Sequence, residues 1–413
     1  RAQLGPALVV CPLSVIGNWI NEVNRFAPSL QIRLLGTGGY NRMQTVKHLQ
    51  PGDVLFISYG LLQSEEKLLS QPVYATAVLD EAHTIKNFAT KTSKATMQLH
   101  ASFRVALTGT PVQNHLGEVW NLFNFINPGL LGDLQHFTDT YAKSDDENAR
   151  KRLKKLIAPF ILRRTKTKVL DELPPKTEIV KKITLSDDEK AFYEALRRQA
   201  VENLSSSNAS PGAKHFQALA EITRLRQACC NPALINAQLN IESSKLTTFL
   251  EIAGELIDNS HRALVFSQFV THLAIVRDEL DKRGITYQYL DGTVPATERE
   301  RRVEKFQKGE GELFLISLKA GGLGLNLTAA DYVIHLDPWW NPAVEDQASD
   351  RAHRIGQTRP VTIYRLVAEN TIEEKIIKLH NTKRDLAESL LEGSDKSAQL
   401  SLNELIELIN DEN

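Results

Sequence analysis

Short apolar segments alternate with amphipathic ones over two long stretches of the chain. Residues 14–26 are of the amphipathic kind and place Ile16, Trp19 and Val23 on one helical face. The apolar segments of the first stretch predict strands at about 7–11, 31–35, 53–58, 75–80 and 103–107. Strands that alternate with helices predict a parallel sheet with helices on both of its faces.

A more helical stretch, from about 145 to 260, separates the two. Residues 187–204 and 214–229 predict helices that are joined by a polar, serine-rich loop. Pro174 and Pro175 cannot continue a helix, so they predict a hinge between two halves of the chain.

The second alternating stretch opens with an apolar helical stripe at 246–257. Its apolar segments predict strands at about 263–267, 286–290, 313–317, 331–336 and 361–367. Its amphipathic segments predict helices at about 269–283, 295–307, 344–353 and 371–391, and a short last one at 400–409. The whole pattern predicts an α/β chain with two parallel-sheet lobes and helical segments between them.

Composition narrows the class of protein. The 413 residues carry 49 Lys and Arg against 50 Asp and Glu, so any site for a polyanion must be a local patch. The three cysteines form no CxxC pair, which argues against a disulfide framework or a zinc site. No apolar run is long enough to span a bilayer and no secretory signal opens the chain, so we expect no membrane partner and a reducing setting. The chain opens at Arg1 and enters a strand at once, which predicts a fragment.

The segment Asp80-Glu81-Ala82-His83 follows the predicted strand 75–80. The carboxyl ends of strands in an open α/β sheet are where ligands bind. One acid there can hold a metal ion while its neighbour orients a water for attack on a phosphate. An acidic helix N-cap is the alternative interpretation of the same residues.

Two loops follow later strands. Residues 107–114 are rich in Thr and Gly, so their backbone could approach a nucleotide closely; a simple turn that ends in an N-cap is the alternative. Residues 317–326 are rich in glycine and could offer N–H groups to phosphates, although such loops are common.

The run 347–357 carries two arginines three positions apart. On a helix Arg351 and Arg354 share a face with Gln347, and two guanidinium groups suit a triphosphate. The alternative is a solvated face whose arginines pair with neighbouring carboxylates. Further basic clusters at 151–155, 163–168 and 299–302 could line one groove for a polyanion, or could simply be solvated.

Taken in order, these segments resemble the SWI/SNF-type DNA-dependent ATPases of helicase superfamily two. The resemblance runs from about Leu8 to Leu379 and rests on motifs at 9–14 with 18–19, 57–59, 80–87, 107–111, 225–232, 265–269, 321–322 and 350–357. It implies two RecA-like lobes with ATP and Mg²⁺ held between them. In this scheme the first lobe spans 1–170 and lacks its N-terminal part, a helical insertion and linker spans 171–245, the second lobe spans 246–385, and a polar tail with a short helix spans 386–413.

The resemblance also implies roles for single residues. Asp80 holds Mg²⁺ through water, Glu81 positions the attacking water, and Arg351 and Arg354 act as arginine fingers. The remaining residues of the nucleotide site are Gly322, Gln347 and Asp350. The residues that couple hydrolysis to movement are His83, Thr108, Gly109 and Thr110. The residues implied to touch DNA are Ser14, Lys86, Asn114, Ser267, Lys319 and Trp340.

The function that the resemblance implies is an ATP-hydrolysing motor that moves on double-stranded DNA and acts on protein–DNA complexes. One part is missing: a phosphate-binding loop of the form G-x-x-x-x-G-K-[ST] needs a Gly-Lys pair, and none of the 22 glycines is followed by lysine. We therefore expect this fragment to turn over ATP weakly or not at all.

Two other functions stay open. One is a strand-separating helicase that acts on DNA or RNA, and the other is a DNA-binding module that has lost catalysis. The short spacer between the lobes is typical of compact prokaryotic members. A prokaryotic member is expected in the cytoplasm with the nucleoid, and a eukaryotic one in the nucleus.

Overall fold

The computed structural model describes residues 4–35, 39–109, 116–142, 147–162, 173–207, 210–321, 325–380 and 402–410. These residues form two compact units. The N-terminal unit comprises the described residues up to Leu162, and the C-terminal unit comprises those from 173 onward. None of the described helices is long and apolar enough to cross a bilayer.

A parallel sheet forms the centre of the N-terminal unit. The strands of this unit are β1 (Ala7–Cys11), β2 (Gln31–Leu34), β3 (Asp53–Ser58), β4 (Val73–Tyr74), β5 (Thr76–Leu79), β6 (His100–Ala101) and β7 (Arg104–Ala106). Five of them pair in the order β2-β3-β1-β5-β7, all parallel, and β4 pairs with β6 apart from them.

Helices cover both faces of this sheet. The helices of this unit are α1 (Ile16–Phe26), α2 (Gly39–Lys47), α3 (Tyr59–Ser64), α4 (Glu66–Leu69), α5 (Lys91–Met97), α6 (Leu116–Ile126), α7 (Leu134–Phe137) and α8 (Glu147–Ile157). On one face Leu8 and Leu55 belong to the same buried cluster as Phe125 of α6. On the other face Phe56 packs in a cluster with Trp19 of α1. Burial on both faces is what a parallel sheet requires.

The C-terminal unit is built around a second parallel sheet. Its strands are β8 (Lys176–Ile183), β9 (Ala263–Ser267), β10 (Tyr287–Leu290), β11 (Leu313–Ser317), β12 (Tyr332–His335) and β13 (Val361–Ala368). They pair in the order β10-β11-β9-β12-β13-β8, and every pairing is parallel.

Helices of the C-terminal unit cover this sheet and form an insertion between β8 and β9. They are α9 (Asp187–Ser206), α10 (Pro211–Cys230), α11 (Ser244–Asp258), α12 (Val270–Lys282), α13 (Ala296–Gln307), α14 (Leu318–Gly321), α15 (Pro342–Ser349) and α16 (Leu402–Ile409), and residues 372–380 are also helical. Leu405 and Ile409 of α16 are buried in one cluster with Leu196 of α9 and Ile222 of α10. The predicted last helix therefore packs onto the insertion.

The predicted fold class, two parallel-sheet lobes with helical segments between them, is confirmed. Each strand that the alternating stretches predict is present among the described residues. The pattern does not predict β8, because seven of its eight residues are exposed and only Ile179 and Val180 among them are apolar. The helix predicted for 344–353 is shorter than expected and ends at Ser349.

Candidate functional site

The carboxyl ends of three neighbouring strands bring the acidic pair to one edge of the N-terminal sheet. Asp80 follows β5, and its N–H donates to the Val10 carbonyl of β1 at 2.8 Å. The Ala82 N–H donates to the carbonyl of Leu107, just after β7, at 2.9 Å. Because Thr108 follows Leu107 directly, the Thr-Gly loop starts at the same edge as the acids. The described part of this predicted constellation is therefore brought together.

Both carboxylate oxygens of Asp80 accept hydrogen bonds. Oδ2 accepts from Nε1 of Trp19 on α1 at 2.8 Å, and Oδ1 accepts from the Glu81 N–H at 2.9 Å. The indole of Trp19 packs near Phe56, with ring centroids 6.3 Å apart, so this donor belongs to the packed layer beside the sheet. Each oxygen keeps a further lone pair, and Mg²⁺ prefers oxygen ligands and bound water. The donor set at this edge therefore fits Mg²⁺.

Glu81 has a left-handed backbone, with φ 50° and ψ 50°. Residues other than glycine rarely adopt this conformation, and it costs roughly 1–2 kcal/mol. Thr84 helps to hold it, because its N–H and Oγ1 both donate to the Glu81 carbonyl, at 3.0 and 2.9 Å. Glu81 Oε2 lies 3.3 Å from Nδ1 of His83, so the predicted coupling residue contacts the predicted catalytic acid. Strain of this kind is typical of functional sites.

Two buried polar residues on α6 support the segment that follows the acids. Glu118 is 3% exposed, and its Oε1 lies 3.7 Å from Nζ of Lys86. Asn121 donates from Nδ2 to the Ile85 carbonyl and to Ser93 Oγ. Neither residue could be predicted from the sequence, because no local pattern shows which strand end α6 packs behind. Trp19 lies in one of the sequence motifs, but nothing in the sequence assigns the hydrogen bond of Trp19 to Asp80.

The thiol at this edge is not a candidate nucleophile. Burial raises the pKa of Cys11 to about 12, and the negative charge of Asp80 adds to the rise. The Tyr59 hydroxyl is buried as well and donates to the Asp80 carbonyl at 2.8 Å. Both groups therefore stay neutral near pH 7, and Tyr59 supports the backbone of Asp80.

In the C-terminal unit, the arginine run does not lie on one helix face, and that prediction is wrong. α15 ends at Ser349, and two of the following N–H groups donate to carbonyls three residues back, as in a tight turn. Gly356 then adopts φ +100°, which a continuing helix does not allow. Gln347 therefore lies within α15, whereas Arg351 and Arg354 lie in the turn that follows.

The buried side chain of Gln357 stabilises this turn through hydrogen bonds. Its Nε2 donates to the Ala330 carbonyl at 2.8 Å and to the Ala352 carbonyl at 3.1 Å. Buried hydrogen bonds of this kind give a loop one defined shape. Arg351 is 7% exposed, and Arg354 is half-buried with Nη1 3.4 Å from the Leu325 carbonyl. The turn, rather than a helix, sets the spacing of the two guanidinium groups.

The other predicted site residues lie in varied settings. Lys319 is exposed on α14, and Asp350 is partly exposed at the end of α15. Trp340 is partly buried, and the Arg226 guanidinium lies 5.7 Å from its ring centroid. Ser267 is 1% exposed, and its hydroxyl donates a hydrogen bond to the Asp337 carboxylate. Thr110, Asn114, Gly322 and the side chain of Ser14 lie outside the described residues.

Three buried residues that could hold a metal ion lie together, and one of them is the Asp337 that accepts from Ser267. Cys230, His272 and Asp337 each place one ligand atom within 4.8 Å of the others. Asp337 already accepts hydrogen bonds from Ser267 and from the Gln268 N–H, and Nη2 of Arg226 lies 3.6 Å from it. The guanidinium thus already supplies the positive charge that a cation would bring.

Two family models match successive parts of the chain. Residues 1–234 match the model of the SNF2-related domain, and residues 244–356 match that of the helicase conserved C-terminal domain. The chain belongs to the SNF2-related family. This SNF2-related chain is 38% identical to the putative ATP-dependent helicase/translocase YwqA of Bacillus subtilis, over 98% of this chain and 45% of that protein. It is 34% identical to the ISWI chromatin-remodeling complex ATPase CHR17 of Arabidopsis thaliana, over 99% of this chain and 40% of that protein.

Among solved structures, the SNF2-related chain is similar to the Sulfolobus solfataricus SWI2/SNF2 ATPase core in complex with dsDNA. The identity is 35%, the match covers 95% of this chain and 83% of that one, and the TM-score is 0.46. The chain spans less than half the length of the curated relatives it matches.

Proposed function

We propose that this chain is the ATP-hydrolysing motor of a double-stranded DNA translocase. The observation that carries the proposal is the acidic pair Asp80-Glu81 at the carboxyl edge of a parallel sheet, on a chain of the SNF2-related family. Relatives named as an ATP-dependent helicase/translocase and as a chromatin-remodeling ATPase support ATP use and action on DNA.

The two acids have different tasks in this proposal. Asp80, oriented by Trp19 and the Glu81 N–H, holds the water shell of Mg²⁺. Mg²⁺, when bound, neutralises charge on the phosphates of ATP. Glu81 orients a water for in-line attack on the terminal phosphorus atom, and its strained backbone fixes the carboxylate for that task.

The arginine turn of the C-terminal unit supplies positive charge in the same proposal. Guanidinium groups are always charged and donate in a plane, so they suit the oxygens of a phosphoryl group in transfer. Arg351 and Arg354 fulfil this role, and Gln347 and Asp350 assist in binding the nucleotide. The proposal requires ATP to bring the two units together and hydrolysis to release them, so that repeated closure moves the protein along DNA.

A phosphate-binding loop with a Gly-Lys pair is absent from these 413 residues. Backbone N–H groups and the lysine of such a loop hold the β- and γ-phosphates. We therefore propose that these 413 residues alone turn over ATP weakly or not at all, and that the full-length protein hydrolyses it.

The test is steady-state ATP turnover by the full-length protein with duplex DNA, single-stranded DNA, RNA or no polymer. We expect duplex DNA to stimulate turnover most, and E81Q to lower the rate about 100-fold or more while ATP still binds. These 413 residues, assayed in parallel, should show little turnover. Equal stimulation by all polymers would contradict the proposal of a double-stranded DNA translocase. Robust turnover by the 413 residues alone would contradict the proposal that they turn over ATP weakly or not at all.

Strand-displacement assays, together with ATP turnover, distinguish the two alternative functions. A strand-separating helicase unwinds a tailed duplex, whereas a translocase displaces a bound protein or a third strand and leaves the duplex paired. A module that has lost catalysis binds duplex DNA without any ATP turnover, and E81Q then changes nothing.

A further inference from the structure

Residues 173–183 are the point at which the chain enters the C-terminal unit. Ten residues, 163–172, separate this segment from Leu162 of the N-terminal unit. β8 forms the edge of the second sheet and pairs with β13 along its whole length. Since seven of its eight residues are exposed, apolar burial contributes little to holding it in place. Polar contacts must therefore hold it.

The first polar contact is made through Arg365 of β13. Its Nη1 donates to Glu178 of β8 at 2.7 Å, and its Nε donates to Glu345 of α15 at 2.8 Å. Its Nη2 donates to Asp346, also on α15, at 3.2 Å. Arg365 is 4% exposed, so solvent screens these pairs weakly. One guanidinium thus joins the entry strand to the helix that carries Gln347.

The second polar contact reaches the arginine turn itself. His353 lies between the two arginines, and its Nε2 is 2.8 Å from the Pro174 carbonyl. A carbonyl only accepts, so Nε2 carries the proton of this hydrogen bond. His353 is 8% exposed, which makes the bond costly to lose. The entry segment therefore contacts both the arginine turn and the helix before it.

We propose that residues 174–178 act as a latch that positions the arginine turn for phosphoryl transfer. The latch consists of the Pro174 carbonyl with His353 and of Glu178 with Arg365. These two contacts hold the arginine turn and the helix before it in one position, and thereby orient Arg351 and Arg354. The inference rests on the proposed ATPase function and adds residues that position the same site. Its residues are positioning residues, because they act through the arginines.

The test compares ATP turnover by full-length variants at saturating duplex DNA. E178Q removes the charge that faces Arg365 but keeps the shape of the side chain. E374Q is its matched control, because Glu374 pairs with Lys182 at the other end of β8 at 2.7 Å, away from the arginine turn. We expect E178Q to lower kcat about 10-fold with KM for ATP within about twofold, because the arginines act on the transition state. E178D should restore part of the rate, and E374Q should match the wild type.

A second pair of variants tests the other contact and guards against a folding defect. H353L removes the donor to Pro174, whereas H353Q keeps an N–H that can reach the carbonyl. We expect H353L to lower kcat as E178Q does and H353Q to keep most of it, with melting temperatures of all variants close to the wild type. The double variant E178Q/H353L should lose less than the product of the single losses, since both changes release one latch.

Three results overturn the inference. E178Q turning over like E374Q refutes the latch while the ATPase function stands. Losses of E178Q and H353L that multiply in the double variant show two separate effects and no latch. Absence of duplex-stimulated turnover in the wild type refutes the ATPase function and the latch with it.

Discussion

The hydrogen bond from Trp19 orients the carboxylate of Asp80 in the N-terminal unit. It joins α1 to the end of β5 across 61 positions of sequence and fixes one oxygen of the carboxylate. W19F keeps an aromatic ring beside Phe56 but removes the donor. We expect about a 10-fold loss of kcat in the full-length protein and a higher Mg²⁺ concentration at half-maximal rate, since hydrogen bonds to charged groups contribute roughly 1.5–3 kcal/mol. The measurement is ATP turnover against Mg²⁺ concentration.

Trp120 provides the matched control for W19F. Its Nε1 donates to the Gly132 carbonyl at 3.0 Å in the same unit, but it does not contact the acidic edge. W120F should leave the Mg²⁺ dependence unchanged. If W19F and W120F give the same Mg²⁺ curve as the wild type, Asp80 needs no help from Trp19 to orient its carboxylate.

At the scale of single residues, the sequence predicts what lies at a strand end but not what holds it there. Asp80 and Glu81 are expected after β5 because the apolar strand ends at them, and the structure places them there. The support from Glu118 and Trp19 depends on how helices pack across the sheet, which no local spacing encodes. The left-handed backbone of Glu81 is likewise a result of the surrounding hydrogen bonds.

Between elements, a buried ion pair joins α11 to the helical residues 372–380. Nζ of Lys245 lies 2.6 and 2.5 Å from the two carboxylate oxygens of Glu373, and neither side chain is exposed. Burial alone would lower the pKa of Lys245, but the charge of Glu373 outweighs it and raises that pKa. We expect K245M to destabilise the C-terminal unit by about 3–5 kcal/mol, because it leaves a buried carboxylate unpaired. Urea unfolding followed by circular dichroism measures this loss.

The same variant has a predicted pH dependence. Burial raises the pKa of Glu373 above its ordinary value, and removal of Lys245 raises it further. A carboxyl whose pKa is higher in the folded state stabilises the fold while it is protonated, and this stabilisation is lost as pH rises. The deficit of K245M relative to the wild type should therefore be smaller at about pH 5 than at pH 8. The double variant K245M/E373L should recover much of the loss at both pH values; a loss equal to the sum of the single losses would show that the two residues do not act as a pair.

At the scale of elements, the position of a helix or strand can be predicted only where buried apolar residues mark it in the sequence. The central strands are apolar because both of their faces are covered, so their positions can be read from the sequence. β8 is an exposed edge strand whose place depends on a backbone ladder to β13 and on the Glu178–Arg365 pair. The turn after α15 depends on Gln357, whose role as an internal anchor has no helical or strand periodicity. Such non-local polar contacts cannot be predicted from periodicity.

For the whole molecule, overall charge gives no attraction to DNA, because the formal net charge is −1. Under the proposed function, binding to duplex DNA must then come from local basic surfaces, and it should be sensitive to salt and insensitive to base sequence. One such surface lies on α8, where Lys154 and Lys155 are exposed while Leu153 of the same turn is buried. The buried leucine fixes the helix so that the two lysines face solvent together.

The double variant K154A/K155A tests whether this surface of α8 meets the phosphate backbone. If each lysine neutralises one phosphate, the slope of log affinity against log salt should become shallower by about 2, equally for unrelated duplex sequences. The matched control is K282A/K308A, which also removes two exposed lysines but acts on ion pairs with Glu279 and Glu304. Fluorescence anisotropy of a labelled duplex between 50 and 200 mM salt is the measurement. An unchanged slope in K154A/K155A would show that α8 does not contact DNA. An equal change in both double variants would show that the lost charge acts only through the overall field of the molecule.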